Sequence, residues 1–452
     1  MRTAGAGALW GVTGAPVRWQ PAPWADRPNQ RIATLTAFSA DTAASLDGPD
    51  WLRARRTAAV ERFAATGLPS SEQEEWRYSR IGDLDLDAYT PVTDPPTTAP
   101  AVSALPFDAA ATITLVDGRV VGVELSDGLE AAGVRVGRVG DADRDLLGSV
   151  AEPPADALAM LNDAFADPVV VQVPAGLALD APIVLRHHVT RAGAAVFPRL
   201  VVDAGRSSEV TVVDVTRSDA VDALSIPVVE LRAAAASNLR YVGLQDLDLA
   251  TWQISTVVAS VDQEATVTAD AVALGGEYAR LRTDCRLVGR GATGNLRAVF
   301  FGEGDQTLDF RTFQDHRAPD TTSDLLFKGA VGGRSRSVYT GLIRVEKDAR
   351  GTNAFQTNRN IKLSDDAWAE SVPNLEIENN DVRCSHASTV GPVDEEQRFY
   401  LESRGVPPRV ADRLIVAGFF DEVVRRLPAA GLAAAVRARI SEKLDHEGIT
   451  DA

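Results

Sequence analysis

Near the C-terminal end the chain reads Asn-Asp-Val-Arg-Cys-Ser-His-Ala-Ser, which sets Cys384 and His386 two residues apart in a protein with only two cysteines and five histidines. On an extended strand, positions i and i+2 share a face and the residue between them takes the other. The thiol and the imidazole would then point the same way, with Ser385 opposite. Together they suit iron, zinc or copper. A tetrahedral or cluster site takes about four ligands, so this pair is half a site, to be completed by another chain or a transient cluster. The competing reading is a buried cysteine beside a hydrogen-bonded histidine. Just upstream, Glu376 and Glu378 have the same spacing, with Leu375 and Ile377 on the other face. Adjacent carboxylates repel unless a cation or solvent lies between them. They read as hard oxygen ligands for a passing iron ion or as a solvated strand face.

The remaining histidines carry less. His187 and His188 are adjacent, so a strand would send them to opposite faces, where they cannot chelate one ion. His316, in Phe-Gln-Asp-His-Arg-Ala-Pro-Asp, reads as a hydrogen-bonding residue of a polar loop. There is no GxxxxGK[ST] phosphate loop, no GxSxG elbow and no HExxH helix in the sequence.

Composition narrows the partners. With 46 Lys and Arg against 63 Asp and Glu, the formal charge is −17 and no basic block offsets it locally. Such a surface repels phosphate backbones and anionic lipid, which argues against nucleic acid and membrane as partners. Cys285 and Cys384 lie far apart with no CxxC spacing, which reads as reduced thiols in a cytoplasmic protein. No run approaches the ~20 apolar residues of a membrane helix. Residues 1–30 are broken by Gly and Pro and read as a disordered extension rather than a signal peptide.

The elements that must position these residues fall into three blocks. Residues 31–106 read as a small helical domain with a linker. A helix begins at Asp50 as N-cap and ends at Gly67 before Pro69; Ser71 and Glu74 follow at capping-box spacing, with Trp76, Tyr78 and Ile81 as apolar anchors. Prolines and threonines cluster over residues 90–106. From about residue 110, short runs rich in Val, Thr and Leu, such as EVTVVDV and ATVTADAVAL, alternate with Gly, Asp or Asn, with no convincing helix between about 170 and 390. So many short strands exceed a sandwich, and neither a Trp-Asp signature nor a propeller period of ~40–45 residues appears. A β-solenoid over 107–390 fits best. Residues 391–452 turn helical: one helix from Asp394 to Gly405, one entered at Pro and ending at Gly418, and a last one with Leu432, Val436, Ile440 and Leu444 on one stripe. This block either caps the open end of the solenoid or docks a partner.

The stretch SVPNLEIENNDVRCSHASTVGPVDEEQRFYLESRGV closely resembles the C-terminal signature of the SufB/SufD family of the SUF iron–sulfur cluster assembly system. LPSSEQEEWRYSRIGDL, ALAMLNDAFADPVVVQVPAGLALDAPIVL and the segment from His316 to Ala367 resemble further parts of it, so the likeness spans roughly residues 50–427. Within the family, Cys384-Ser385-His386 resembles the SufD branch; SufB-like chains carry their scaffold cysteine several residues earlier, near Glu378 or Asn379.

The resemblance implies a mainly β fold, a right-handed parallel β-helix flanked by N-terminal and C-terminal helical domains. It implies a non-catalytic subunit that pairs with SufB through the β-helix and binds the SufC ATPase through its C-terminal helices. The residues expected to meet SufC are Asp394, Glu395, Phe399, Tyr400, Arg404, Gly405 and Phe419. His386 and Cys384 would face SufB, with Glu376 and Glu378 as further candidates, around iron or a nascent iron–sulfur cluster held only in the complex; no stably bound cofactor is expected of the chain alone. A homodimer of the isolated chain, a SufB-like scaffold and a β-helix polysaccharide-active enzyme stay open as alternatives.

Overall fold

A computed structural model describes residues 36–94 and 107–450. The expected extension over 1–30 and most of the proline-rich linker lie outside the described residues. The short runs read from the sequence are strands, and they wind into a parallel β-solenoid of about eight turns. Each turn contributes one strand to each of two sheets. One sheet runs in parallel from Asp167–Val173 through Tyr278–Leu287 and Thr307–His316 to Trp368–Ile377; the other runs from Ala111–Val116 through Thr266–Ala273 and Thr352–Lys362 to Val382–Pro392. Arg135–Arg138 and Arg119–Leu125 close the N-terminal edges in antiparallel pairing.

Register is kept from coil to coil, with Tyr278 beside Thr307 and Thr307 beside Arg336. One corner of the coil carries the fold's real repeat. Just ahead of a strand of the second sheet, Gly176, Ser207, Ala236, Glu264, Gly291, Asp320 and Gly351 all take a left-handed backbone, with φ between 55° and 76°. Each donates its N–H to a carbonyl of the next coil, as Ala236 does to Gln263 and Glu264 to Arg290. A side chain at positive φ costs of order 1 kcal/mol or more, and the stacked backbone bond offsets it. Because four of these corners lack glycine, no glycine period shows in the sequence.

Alternation along each strand divides inside from outside. Inward side chains form one continuous core from Ile113 and Leu185 to Phe327 and Tyr339. The outward face of the first sheet is covered over its N-terminal half by α1 (Ala40–Ala44), α2 (Asp50–Thr66) and α3 (Ala157–Phe165), through Phe63, Trp76, Phe165, Trp252 and Tyr278. The outward face of the second sheet is covered by α5 (Pro408–Val424) and α6 (Ala430–His446). These helices pack against the side of the solenoid; they do not cap its open end.

Several helix boundaries differ from those expected. Pro49 is the N-cap of α2, so Asp50 is its first helical residue; Gly67, at φ 77°, ends it as read. The Ser71–Glu74 spacing makes no capping box: Glu74–Trp76 is one 3₁₀ turn, with Trp76 and Ile81 buried but Tyr78 40 % exposed. Gly418 does not end its helix. The stripe Val416, Phe420, Val423 and Val424 is buried on the sheet, and this packing outweighs the ~1 kcal/mol that glycine costs a helix interior. The last helix matches its reading: Leu432, Val436, Ile440 and Leu444 are all buried.

The histidines sort by face. His187 points inward, its Nε2 2.8 Å from Asp214, whereas His188 points out to Asp219. His316 is no loop residue. It ends strand Thr307–His316, wholly buried, with Nδ1 2.8 Å from the Thr321 hydroxyl and Nε2 2.9 Å from that of Ser323. The polar neighbours that suggested a loop are the corner that follows the strand. Burial lowers its pKa from 6.5 to about 4, with Asp315 acting the other way. Between those values the unfolded chain binds a proton that the folded chain refuses, so stability is complete above pH 6.5 and falls as pH drops toward 4. The loss expected from this group is about 3 kcal/mol. Urea midpoints at pH 7, 5.5 and 4.5 should show that slope, and His316→Gln should flatten it in this window; an unchanged slope would refute the assignment.

Candidate functional site

Among the described residues, strand Val382–Pro392 is the last of its sheet and pairs on one edge only. Its register sets the orientation of the Cys-Ser-His triplet. Cys384 lies beside Ala354, Ser385 beside Phe355 and His386 beside Gln356. Ala354 and Gln356 are buried inside the coil, whereas Phe355 is 45 % exposed outside it. Cys384 and His386 thus extend the inward column and Ser385 faces out, as the i, i+2 spacing predicts. Cys384 packs against the buried cluster of Ile343, Val345, Ala349 and Ala354, and His386, two residues further along the same strand, is exposed. Burial pushes the Cys384 thiol above its ordinary pKa, offset in part by a backbone hydrogen bond at Ala354. As a free chain it holds a thiol, and a metal would have to displace the proton.

Glu376 and Glu378 do not join this pair. Leu375 pairs with buried Ile343 and packs inward, while Glu376 pairs with exposed Arg344, which puts its side chain on the outer face of the other sheet. Glu378 follows the strand end, its N–H bonded to Val345. Among the described residues no three His, Cys, Asp or Glu side chains gather as a metal site. The second cysteine is remote as well. Cys285 is inward-facing and 1 % exposed, and burial raises its pKa to about 12.

The uncovered coil adjoins a second exposed surface. α4 (Glu395–Ser403) begins at Asp394, whose carboxylate accepts from the N–H groups of Glu396 and Gln397 at 2.9 and 3.0 Å. Glu395 is exposed in its first turn, and Gly405, at φ 84°, follows its C-cap. This helix has no buried residue and is tied to α5 by a two-pronged Arg398–Asp412 pair at 2.6 and 2.9 Å. Phe399 is 73 % and Tyr400 58 % exposed, with Arg404 over the Tyr400 ring. Phe419 is unlike them: it packs on Phe420, and Lys328 lies over its ring, so it anchors α5 to the solenoid. Leu414, 52 % exposed, was not among the expected residues. A helical wheel could have found it, since two residues before Val416 is about 200° around the helix from the packed stripe. A groove of about 860 Å³ runs between α4, α5 and the sheet end, lined by Arg359, Thr389, Tyr400, Leu414 and Phe419.

The structure is a parallel solenoid with helices against both sheets, and its Cys-Ser-His triplet lies on an exposed end coil. The family described as SUF system FeS cluster assembly, SufBD core domain, matches residues 187–419, and the chain belongs to it. It is 37 % identical over 227 residues to an iron–sulfur cluster assembly SufBD family protein of Mycobacterium tuberculosis, covering 48 % of this chain and 56 % of that one. Over 326 residues it is 32 % identical to such a protein of Mycobacterium leprae, covering 70 % of this chain and 81 % of that one. It is 29 % identical over 395 residues to the iron–sulfur cluster assembly protein SufD of Escherichia coli, covering 85 % and 91 %. A SufD of Bacillus subtilis is similar over a shorter span. These relatives put the chain on the SufD branch. Among the described residues no helix is long and apolar enough to cross a membrane.

Proposed function

We propose that this chain is the non-catalytic subunit of a cytoplasmic iron–sulfur assembly complex, pairing with a SufB-type chain through its uncovered last coil and with a SufC-type ATPase through α4 and α5. The observation that carries this is the half-site. Cys384 and His386 share the inward face of a strand with one unpaired edge, and no third ligand stands near them in the described chain. An unpaired parallel edge is a template for another chain, and a second solenoid docked there would bring ligands to the imidazole. Iron or a nascent cluster is cargo of that shared site. The exposed rings of α4 supply the other contact: large apolar groups on a helix with no buried residue await a partner.

A SufB-like scaffold acting alone would need several thiolates gathered at one place, whereas Cys285 is buried and remote from Cys384 and no third ligand stands near the pair among the described residues. The test is co-purification with the cognate SufB and SufC, wild type against His386→Ala, with iron and sulfide quantified. Equal yields of complex and a several-fold fall in cluster content are expected for the variant. Unchanged cluster content would leave the chain a structural arm and remove His386 from the site.

A further inference from the structure

The interior of the solenoid changes its filling along its length. Toward the N-terminal end it is packed with Ile183, Leu185, Val212 and Leu231, all at 0 % exposure. Toward the other end it holds a column of rings, with centroids 4.5 Å apart for Phe300–Phe310, 5.7 Å for Phe310–Phe327 and 5.3 Å for Phe327–Tyr339. Between the two, inward positions carry Gly243, Ala269, Ala271 and Ala279, and a cavity of about 80 Å³ opens there. Gly243 and Ala271 are neighbours in register. Both, with Leu281 on the facing sheet, are only partly buried although they lie in mid-solenoid, because they border this space.

Protein interiors rarely leave voids larger than a water molecule. Here the strands cannot close in, since each is held ~4.8 Å from its neighbours by ladders on both sides. The walls are mostly apolar, and the polar groups at one rim are largely spoken for: Tyr241 Oη donates to Asp214 at 2.9 Å, and His187 lies against the same carboxylate. Among the described residues of the lining, Gln245 Nε2 is a buried donor without a hydrogen-bond partner, and Asp214 Oδ1 has only the His187 contact. Apolar cavities stay dry and take apolar solutes; one of about 150 Å³ admits benzene.

We propose that this cavity is a binding site for a small uncharged apolar molecule, smaller than benzene and carrying at most one hydrogen-bond acceptor for Gln245. This goes beyond the assembly role and does not rest on it. Crystals of the full chain pressurised with xenon test it. Xenon density is expected between Ala271, Leu281 and Phe310 in the wild type, and none in Ala271→Leu, whose side chain fills the space. Should that variant fail to fold, Ala269→Val narrows the same cavity with a smaller change. Ordered water throughout the cavity, a collapsed cavity, or xenon retained in the filled variant would each overturn the assignment.

Discussion

Replacing Phe399 and Tyr400 with alanine is expected to weaken binding of the cognate SufC-type ATPase by at least about tenfold while leaving the fold unchanged. Phe399 and Tyr400 are 73 % and 58 % exposed, on a helix with no fully buried residue. Their truncation therefore removes little internal packing beyond the Arg404–Tyr400 contact, and the melting temperature should move little. At an interface, buried aromatic anchors each carry about 2 kcal/mol or more, and 1.4 kcal/mol is a factor of ten in Kd. Titration calorimetry of wild type and double variant against the ATPase, with melts of each chain alone, separates binding from folding. Phe419→Ala makes the contrast, because Phe419 packs on Phe420 and under Lys328. That change should cost stability as well as binding. Equal affinity for the Phe399/Tyr400 double variant would move the ATPase contact elsewhere.

The second large effect concerns the joint between the N-terminal helices and the solenoid. Glu230 is wholly buried on the outward face of its sheet, and one carboxylate serves four partners. It accepts from the N–H groups of Gly148, Val150 and Ala151 at 2.9 to 3.0 Å and from the guanidinium of Arg199 at 2.6 Å. Burial by itself would raise its pKa, but Arg199 and these N–H groups outweigh it and hold the group below the usual carboxylate range. Arg199 continues to Asp163 of α3 at 2.9 Å, and Asp163 continues to Arg55 of α2 at 3.1 Å. Glu230→Ala would orphan three N–H groups and leave Arg199 half paired in a dry site. The expected loss is about 3–5 kcal/mol, read as a lower urea midpoint. Replacing Glu230 by Leu together with Arg199 by Met should recover part of it, since burying two apolar groups avoids desolvating two charges. A cost below about 1 kcal/mol for Glu230→Ala would mean that the joint is wet and the network weak.

Much of this architecture is legible in local pattern. Period-two runs of Val, Thr and Leu identify the strands, and their number without intervening helices points to a solenoid, because side-chain alternation is a property of any extended chain. The same alternation orients Cys384 and His386 correctly before any fold is known. The coil period stays hidden. What repeats is a backbone conformation at one corner, which Ala236 and Glu264 adopt as fully as Gly291 does once the next coil stacks on it. The burial of His316 is hidden from local pattern for a related reason: the first residues of a polar string, Asp315 to Asp320, finish a strand whose inward face is sealed.

Local pattern in the chain suffices for the strands, for the shared face of Cys384 and His386, and for the helix stripe from Leu432 to Leu444. All of these depend on spacing within a few residues of one another. Long-range packing places Glu376 outside and Cys384 inside, lays α5 and α6 along a sheet, and leaves Phe399 bare where Phe419 is anchored. Those outcomes depend on which coil comes next and which faces are already covered, and burial is a property of the whole assembly rather than of any local run.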